Sequence, residues 1–367
     1  MRPSSKRLAA IWVAAALMAA ACAPAAAPSP SRAPAAPASA PAAGSPSAPA
    51  AESPAAPASQ PAEMTKVRYG LPTAPPAIST VGVWFAIENG FFEEEGLEVE
   101  VIPYPGSTTA TRALLSRDAD IVMTGGDSAY LAWQNGAPIK IISSPVAKGT
   151  DVMVANAPID SIDDLAGKAF AISDPGSTAE VLGKIILERN GVDPNGLEFV
   201  SIGSPPDRIR AMLADQVDVT AATILILEPV LQAIEAGEVN VLTSFAEEFP
   251  DIPLAYNITR DDVIAENRDM LVRFLRAEIR GYEWATQNPA EAAAIAAEQI
   301  PESDPEVMVQ GFEGLIELDV YGLDGGIAGD QITKSQEALV ETGRLREVSE
   351  PPDVSDPSIV EEALAGG

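Results

Sequence analysis

From residue 64 onward, short apolar runs alternate with stretches of helical period along most of the chain. "LEVEVIPY" sets Leu97, Val99 and Val101 against Glu98 and Glu100, the period of two expected of a strand with one wet face. "ADIVMTGG" and "PIKIISS" are continuous apolar runs that suit buried strands, and "KVRYGLP" opens the series as another strand. Between them, "VGVWFAIENG", "TTATRALLSRD" and "DSAYLAWQNG" carry helical spacing, with Gly90 suited to the left-handed end of the first. Strand and helix alternate, which predicts an α/β sheet with ligand sites at the carboxyl ends of its strands.

The pattern then repeats. "ALLSRDADIVMT" from Ala113 and "AMLADQVDVTAA" from Ala211 each run from a helix end, through a tight turn and an aspartate (Asp120 or Asp218), into a buried strand. A matching unit about one lobe later predicts two similar α/β lobes. The Pro-rich "EEFPDIP" marks a boundary. Beyond it, the strand-like "LAYNIT" and the helical runs "RDMLVRFLRAEIRGYEWATQ" and "PAEAAAIAAEQ" complete the first lobe after an excursion through the second. Two crossings between lobes make a hinge, and a hinge makes a cleft. The expected division is residues 64–147 with 252–367 as lobe I, and 148–251 as lobe II.

"WFAIENGFFEEEGLEVEV", "ALLSRDADIVMTGG", "NGAPIKIIS", "SIDDLAGKAFAISDPGST" and "GVDPNGLEFVSI" stand in the order and spacing of one family. They resemble the solute-binding proteins of ABC importers in the nitrate, sulfonate and taurine group, which includes thiamine-pyrimidine-precursor-like binders. The resemblance runs over nearly all of residues 66–299. It implies a type II periplasmic-binding-protein fold, two similar α/β lobes joined by a two-strand hinge with a ligand cleft between them. It also implies a small-molecule solute as ligand, an ABC permease and its ATPase as partners, and no enzymatic turnover. Arg117 and Asp215 stand in helix-to-strand turns where the family usually has glycine. Fungal proteins of similar pattern make a pyrimidine from their own histidine, and this chain has no histidine. A ligand-sensing receptor for a membrane signalling partner would need the same cleft.

At the front, Arg2, Lys6 and Arg7 precede the apolar "LAAIWVAAALMAAAC", which reads as a secretory signal over residues 1–21. With Cys22 at its exit, the segment resembles a bacterial lipoprotein signal, whose cysteine is lipidated; Ala19 stands where such signals usually place Leu. Ordinary signal-peptidase cleavage and an uncleaved anchor are the alternatives. Residues 23–63 are almost entirely Ala, Pro and Ser, without apolar periodicity and with prolines that forbid continuous helix. Residues 22–63 are thus expected to be a lipidated cysteine and a disordered tether, with a reach on the order of 100 Å at about 3.1 Å per residue. The expected location is outside the cytoplasmic membrane, held there by lipid.

The formal charge of the 367-residue chain is −30, and −32 falls beyond residue 63. Such a balance argues against a nucleic-acid partner and against docking on anionic lipid through a basic face. No histidine and a single cysteine exclude zinc sites, His-based triads and disulfides, so no metal and no cofactor is expected. A monomer is expected.

Candidate ligand contacts fall in loops at strand ends. In "SDPGSTAE", Pro175-Gly176 suits a tight turn, and Ser177 with Glu180 three residues later makes a capping box. Ser177 is then chiefly a cap, which leaves Thr178 and the Gly176 backbone as donors to a ligand, assisted by the helix dipole. "GSTT" offers Ser107 and Thr108 at another helix start, with Ser107 the better suited to capping. "TGGDSAY" contributes Gly126, Asp127 and Ser128; Asp127 reads as the N-cap of the next helix and otherwise as a partner for an amine or an amidine-like ring edge. The family resemblance makes "PTAPPAIS" a wall of the pocket, through Pro76 and Ala77. Thr223 and Glu228 flank the return of the chain from the second lobe. Trp84 and Trp133 lie at helical spacing and read as core. No Arg or Lys falls in these loops apart from Lys148 near the hinge, so an anion would rest on helix ends and hydroxyls alone, and a zwitterion or polar heterocycle fits equally well.

Overall fold

The computed structural model describes residues 64–366 except 224–227, 251, 301–303, 328 and 342, and does not describe the side chain of Glu228. The signal-like run, Cys22 and the Ala/Pro/Ser segment lie outside the described residues. The first sheet is built from β1 (Thr65–Leu71), β2 (Leu97–Pro103), β3 (Ile121–Thr124), β4 (Ile139–Val146) and β10 (Ala255–Arg260), in the order β2-β1-β3-β10-β4. The second is built from β5 (Val152–Asn156), β6 (Ala169–Ile172), β7 (Glu198–Ser201), β8 (Val219–Ala222) and β9 (Val239–Ser244), in the order β7-β6-β8-β5-β9.

The two orders are the same order. β1, β2 and β3 correspond to β6, β7 and β8, all paired in parallel. The fourth position holds an antiparallel strand in each sheet, β10 beside β3 and β4, and β5 beside β8 and β9. Each of these is the strand the chain forms just after crossing from the other half. This is the two-lobed α/β architecture expected from the alternating pattern. The two crossings fall between Val146 and Val152 and between Ser244 and Ala255.

The internal repeat is visible at the level of single hydrogen bonds. Asp120 accepts from the backbone N–H of Arg68 at 3.0 Å, and Asp218 accepts from the backbone N–H of Ala169 at 2.8 Å. Each aspartate also meets a cation from the same neighbouring strand: Arg68 at 2.7 Å in one lobe, and Lys168 at 3.6 Å in the other. The aspartate before each buried strand thus ties β3 to β1 in one sheet and β8 to β6 in the other. The turns ahead of them hold Arg117 at φ 70° and Asp215 at φ 55°, left-handed positions that glycine adopts without strain.

The long helix Asp261–Gln287, kinked at Asn267, lies across the first sheet, with Leu271, Phe274, Leu275, Glu278 and Tyr282 on its buried stripe. Phe274 stacks on Phe92 at 5.1 Å between centroids and meets Tyr69 at 5.0 Å. The C-terminal segment returns to the same lobe, where Ser144 N–H bonds Gly325 O and Asp356 N–H bonds Ile141 O. Trp84 and Trp133 are half-buried and pack against this core.

Glu278 is the exception on that stripe, a carboxylate only 2 % exposed. Tyr69 Oη donates to it at 3.1 Å and Asn257 Nδ2 at 2.7 Å, and Asn257 is shared with Ser143 Oγ at 2.9 Å. Burial pushes its pKa up to about 7, against the pull of the Tyr69 and Asn257 hydrogen bonds. A carboxyl group raised in the folded state contributes stability that is fully present below its unfolded value and is lost as pH rises through about 7. Parent protein should therefore lose about 3 kcal/mol of stability between pH 4.5 and 8 that Glu278→Gln, its amide free to reorient, does not lose. Melting curves of the two proteins across that range check this, and parallel pH profiles would refute it.

Candidate functional site

Where the carboxyl ends of the parallel strands of both sheets face one another lies a cleft cavity of about 80 Å³. Its wall follows the strand ends. Pro72 comes directly after β1, Ser173 after β6 and Thr223 after β8; Val146 closes β4; and the crossing strands supply Asp151 and Ala255 at their starts. Four helices begin around it: α3 (Ser107–Leu115), α4 (Gly126–Gln134), α5 (Thr178–Arg189) and α6 (Pro205–Leu213), numbered after two short helices at Gly82–Glu88 and Phe91–Glu94.

The "SDPGST" loop of the second lobe is bonded directly to the first lobe. Thr178 Oγ1 donates to Asp127 Oδ1 at 2.9 Å, and Thr109 Oγ1 donates to Asp174 Oδ2 at 3.2 Å. The arrangement is reciprocal, one aspartate from each lobe accepting from a threonine of the other. Thr108 Oγ1 to Pro175 O at 3.3 Å and Ser128 Oγ to Gly176 O at 3.5 Å add longer contacts. Two glycines leave room for this closure. A Cβ on Gly106 would lie 2.2 Å from Asp174 Oδ1, and one on Gly125 would lie 1.9 Å from Thr178 Oγ1.

The hydrogen bonds of Ser177 and Thr178 differ from those expected. Ser177 holds the N-cap position of α5, but its hydroxyl makes no cap bond, is buried and has no partner. Glu180 performs half of the box one residue early, accepting from Gly176 N–H. Thr178, expected to donate to a ligand, spends its hydroxyl on Asp127. Thr108 likewise spends its hydroxyl across the lobes. Ser177 brings to the cavity wall a buried hydroxyl without a partner.

Asp127 is not the cap of its helix; Gly125 is, and Asp127 sits in the first turn. At 8 % exposure, burial pushes its pKa up to about 6, opposed by the hydrogen bonds from Thr178 and Ser128. Ser107 is likewise inside its helix rather than capping it, and its hydroxyl accepts from Gly125 N–H at 3.1 Å.

Of the residues expected from the sequence, Ala77, Ser107, Ser177, Thr178 and Thr223 line the cavity. Thr108, Asp127, Ser128 and Gly176 stand behind it in the lobe–lobe contacts. Gly126 packs on Tyr130 and Tyr256, and Pro76 is buried away from the opening. Glu228's side chain lies outside the described residues.

The absence of a cation from the cleft was the expectation most changed by the structure. Lys148 is turned to the C-terminal segment, 3.0 Å from Asp319. Arg208 in α6 lines the cavity instead, at 2 % exposure. Four of its five N–H groups reach Thr220 Oγ1 (3.3 Å), Ser173 Oγ (2.8 Å), Gly203 O (2.6 Å) and Ala221 O (2.9 Å). Burial lowers its pKa to about 10, so it stays charged at neutral pH. Asp151 is the other charged group on the described wall; Thr223 Oγ1 donates to it at 2.7 Å, and burial raises its pKa. Both residues escaped loop-based reasoning. Arg208 starts from the first turn of a helix and reaches back under the strand ends, and Asp151 sits in the crossing. The "SPPDRIR" sequence carries one usable signal, a capped helix start with an arginine one turn in on its apolar side.

Among the described residues, no group of three or more Cys, Asp or Glu side chains is placed to hold a metal ion, and no helix is long and apolar enough to cross a membrane. Residues 78–292 match the family described as NMT1/THI5 like. The chain is 24 % identical over 278 residues to the protein YtlA of Bacillus subtilis (strain 168), covering 72 % of this chain and 80 % of that one. It is 26 % identical over 222 residues to the formylaminopyrimidine-binding protein of Halalkalibacterium halodurans, covering 59 % and 66 %. In three dimensions it is similar to the alkanesulfonate-binding protein SsuA of Xanthomonas axonopodis pv. citri, with a TM-score of 0.65 at 16 % identity over 80 % of this chain and 99 % of that one.

The lobe contacts generate a specific expectation. Gly106 has extended backbone angles that any residue adopts, and the three atoms nearest an added Cβ all belong to Asp174 of the other lobe. Gly106→Ala should therefore prop the lobes apart, raising the radius of gyration in small-angle scattering while the melting temperature stays within about 2 °C. Ser177→Ala, which loses no cap bond, should leave both unchanged. An unaltered scattering profile for Gly106→Ala would show that the Asp174 contact does not hold the lobes.

Proposed function

The chain belongs to the NMT1/THI5-like family, and from that premise we propose that it is an extracytoplasmic solute receptor that closes on one small polar solute and delivers it to an ABC importer. The observation that carries this reading is the cavity itself, walled by both lobes and flanked by the Thr178–Asp127 bond that joins them. A solute that touches both lobes stabilises the closed form by its differential affinity for it. The permease and its ATPase are then the partners that read closure. The binding proteins to which the chain is similar support the same role.

Within the cavity, Ser177 and Arg208 donate to the solute and Asp151 accepts from it, with Ala77, Ser107 and Thr223 completing the wall. About 80 Å³ holds on the order of five water-sized groups, so the closed form suits a small solute. Binding proceeds without turnover, because the cavity offers no histidine or cysteine and its carboxylate is held by Thr223 rather than set against a nucleophile. Cys22 carries lipid and residues 23–63 tether a monomeric receptor to the membrane; no nucleic acid is involved.

A thermal-shift screen of the purified protein against sulfonates, taurine, nitrate and aminopyrimidines, followed by calorimetric titration, tests this. The compound that binds should lose about fivefold in affinity in Ser177→Ala, the value of one hydrogen bond near 1 kcal/mol, and more in Arg208→Gln. Equal binding by parent and both variants, or consumption of the compound, would sink the reading. Labelling of cells with a fatty-acid analogue should mark the parent and not Cys22→Ser.

A further inference from the structure

Helix N-termini around a cleft are ready sites for an anion, because their free N–H groups and dipoles favour negative charge. In this cleft the protein's own carboxylates already occupy them. Asp174 of the second lobe accepts from Thr109 in the first turn of α3, Asp127 lies in the first turn of α4, and Glu180 takes Gly176 N–H ahead of α5. Asp207 sits in the first turn of α6, bonded to the capping Ser204. The anion-attracting power of the four helices is largely spent inside the protein.

What remains on the described wall is one cation and one anion, Arg208 and Asp151. They feel each other's charge but are not within ion-pair distance, 4.0 Å, so neither discharges the other. Asp151 is held in place from behind, since Thr150 and Thr223 share a hydrogen bond at 2.8 Å and Thr223 donates to the carboxylate at 2.7 Å. A bare anion beside Arg208 would share a small cavity with that carboxylate, and beside groups this deeply buried like charges repel more than in water.

Building on the solute-receptor reading above, we infer that Asp151 sets selectivity: the site takes a solute without net negative charge, its amino or ammonium end at Asp151 and its acceptor end at Arg208 and Ser177, and turns away simple anions. A zwitterion and an amino-substituted heterocycle share this two-ended chemistry.

The test titrates full-length parent, Asp151→Asn and Arg208→Gln with nitrate and methanesulfonate as one-ended probes, and with taurine and 4-aminopyrimidine as two-ended ones. Tryptophan fluorescence reads binding, and melting curves verify folding. Asp151→Asn should bind nitrate at least tenfold more tightly than parent, whereas Arg208→Gln should not gain. Asp151→Ser serves the same purpose should the Asn variant fold poorly. Whichever two-ended probe binds parent distinguishes zwitterion from heterocycle, and its affinity should drop at least tenfold in Asp151→Asn. The inference is overturned if folded Asp151→Asn gains no anion affinity, or if a two-ended probe binds parent and variant equally. Gain of nitrate binding by the variant supports it even where parent binds none of the four. Turnover of a probe by purified parent would instead defeat the receptor reading and leave the charge balance standing.

Discussion

The structure depends on two strands that change sheets. β5 and β10 are not added at an edge; each is inserted antiparallel between two strands of a sheet it has just reached, hydrogen-bonded on both sides. A crossing strand anchored in this way cannot slide without breaking two ladders, so relative motion of the lobes is confined to the short stretches between the sheets. The same insertion aims the carboxyl ends of the parallel strands in both sheets at each other. The cavity lies where they meet.

What closes that gap is polar. One aspartate from each lobe accepts a threonine hydroxyl from the other, with glycines beneath so that the backbones approach closely. Exposed pairs of this kind contribute little, but burying a carboxylate without its partner is costly, so a half-formed contact is less favourable than either extreme. Polar contacts buried only in the closed form therefore suit two discrete states. They also engage groups that would otherwise be available to a solute: Thr178 and Thr108 bond across the lobes, while Ser177, Arg208 and Asp151 line the cavity and carry the recognition proposed above.

The electrostatic design follows from the strongly acidic composition. A protein with −32 beyond residue 63 meets the positive ends of its cleft helices with its own carboxylates. Arg208 stays buried because the helix that carries it is capped by Ser204 and because backbone carbonyls and hydroxyls at the ends of β6, β7 and β8 accept from its guanidinium. Its charge is thereby hydrogen-bonded without being cancelled.

Period and turn chemistry determined the elements, their alternation and the doubled lobe plan, because strand and helix patterns and the aspartate-led repeat at Asp120 and Asp218 are local properties. Each repeat aspartate bonds a backbone N–H of the strand beside its own, so a short motif in the chain is already a statement about sheet order. The strand-end loops that meet at the cleft were legible for the same reason, and Ala77, Ser107, Ser177, Thr178 and Thr223 all reach it. The roles within those loops were not legible. Whether Ser177 caps a helix or faces a cavity, and whether Thr178 serves a ligand or Asp127, depends on what the opposite lobe presents, some fifty residues away in the chain. Arg208 and Asp151 became visible only in three dimensions, since one reaches the cavity from within a helix and the other from the crossing that joins the lobes. Local sequence selects backbone conformation; the competition for each polar side chain is decided by the partners that tertiary packing brings within hydrogen-bond reach.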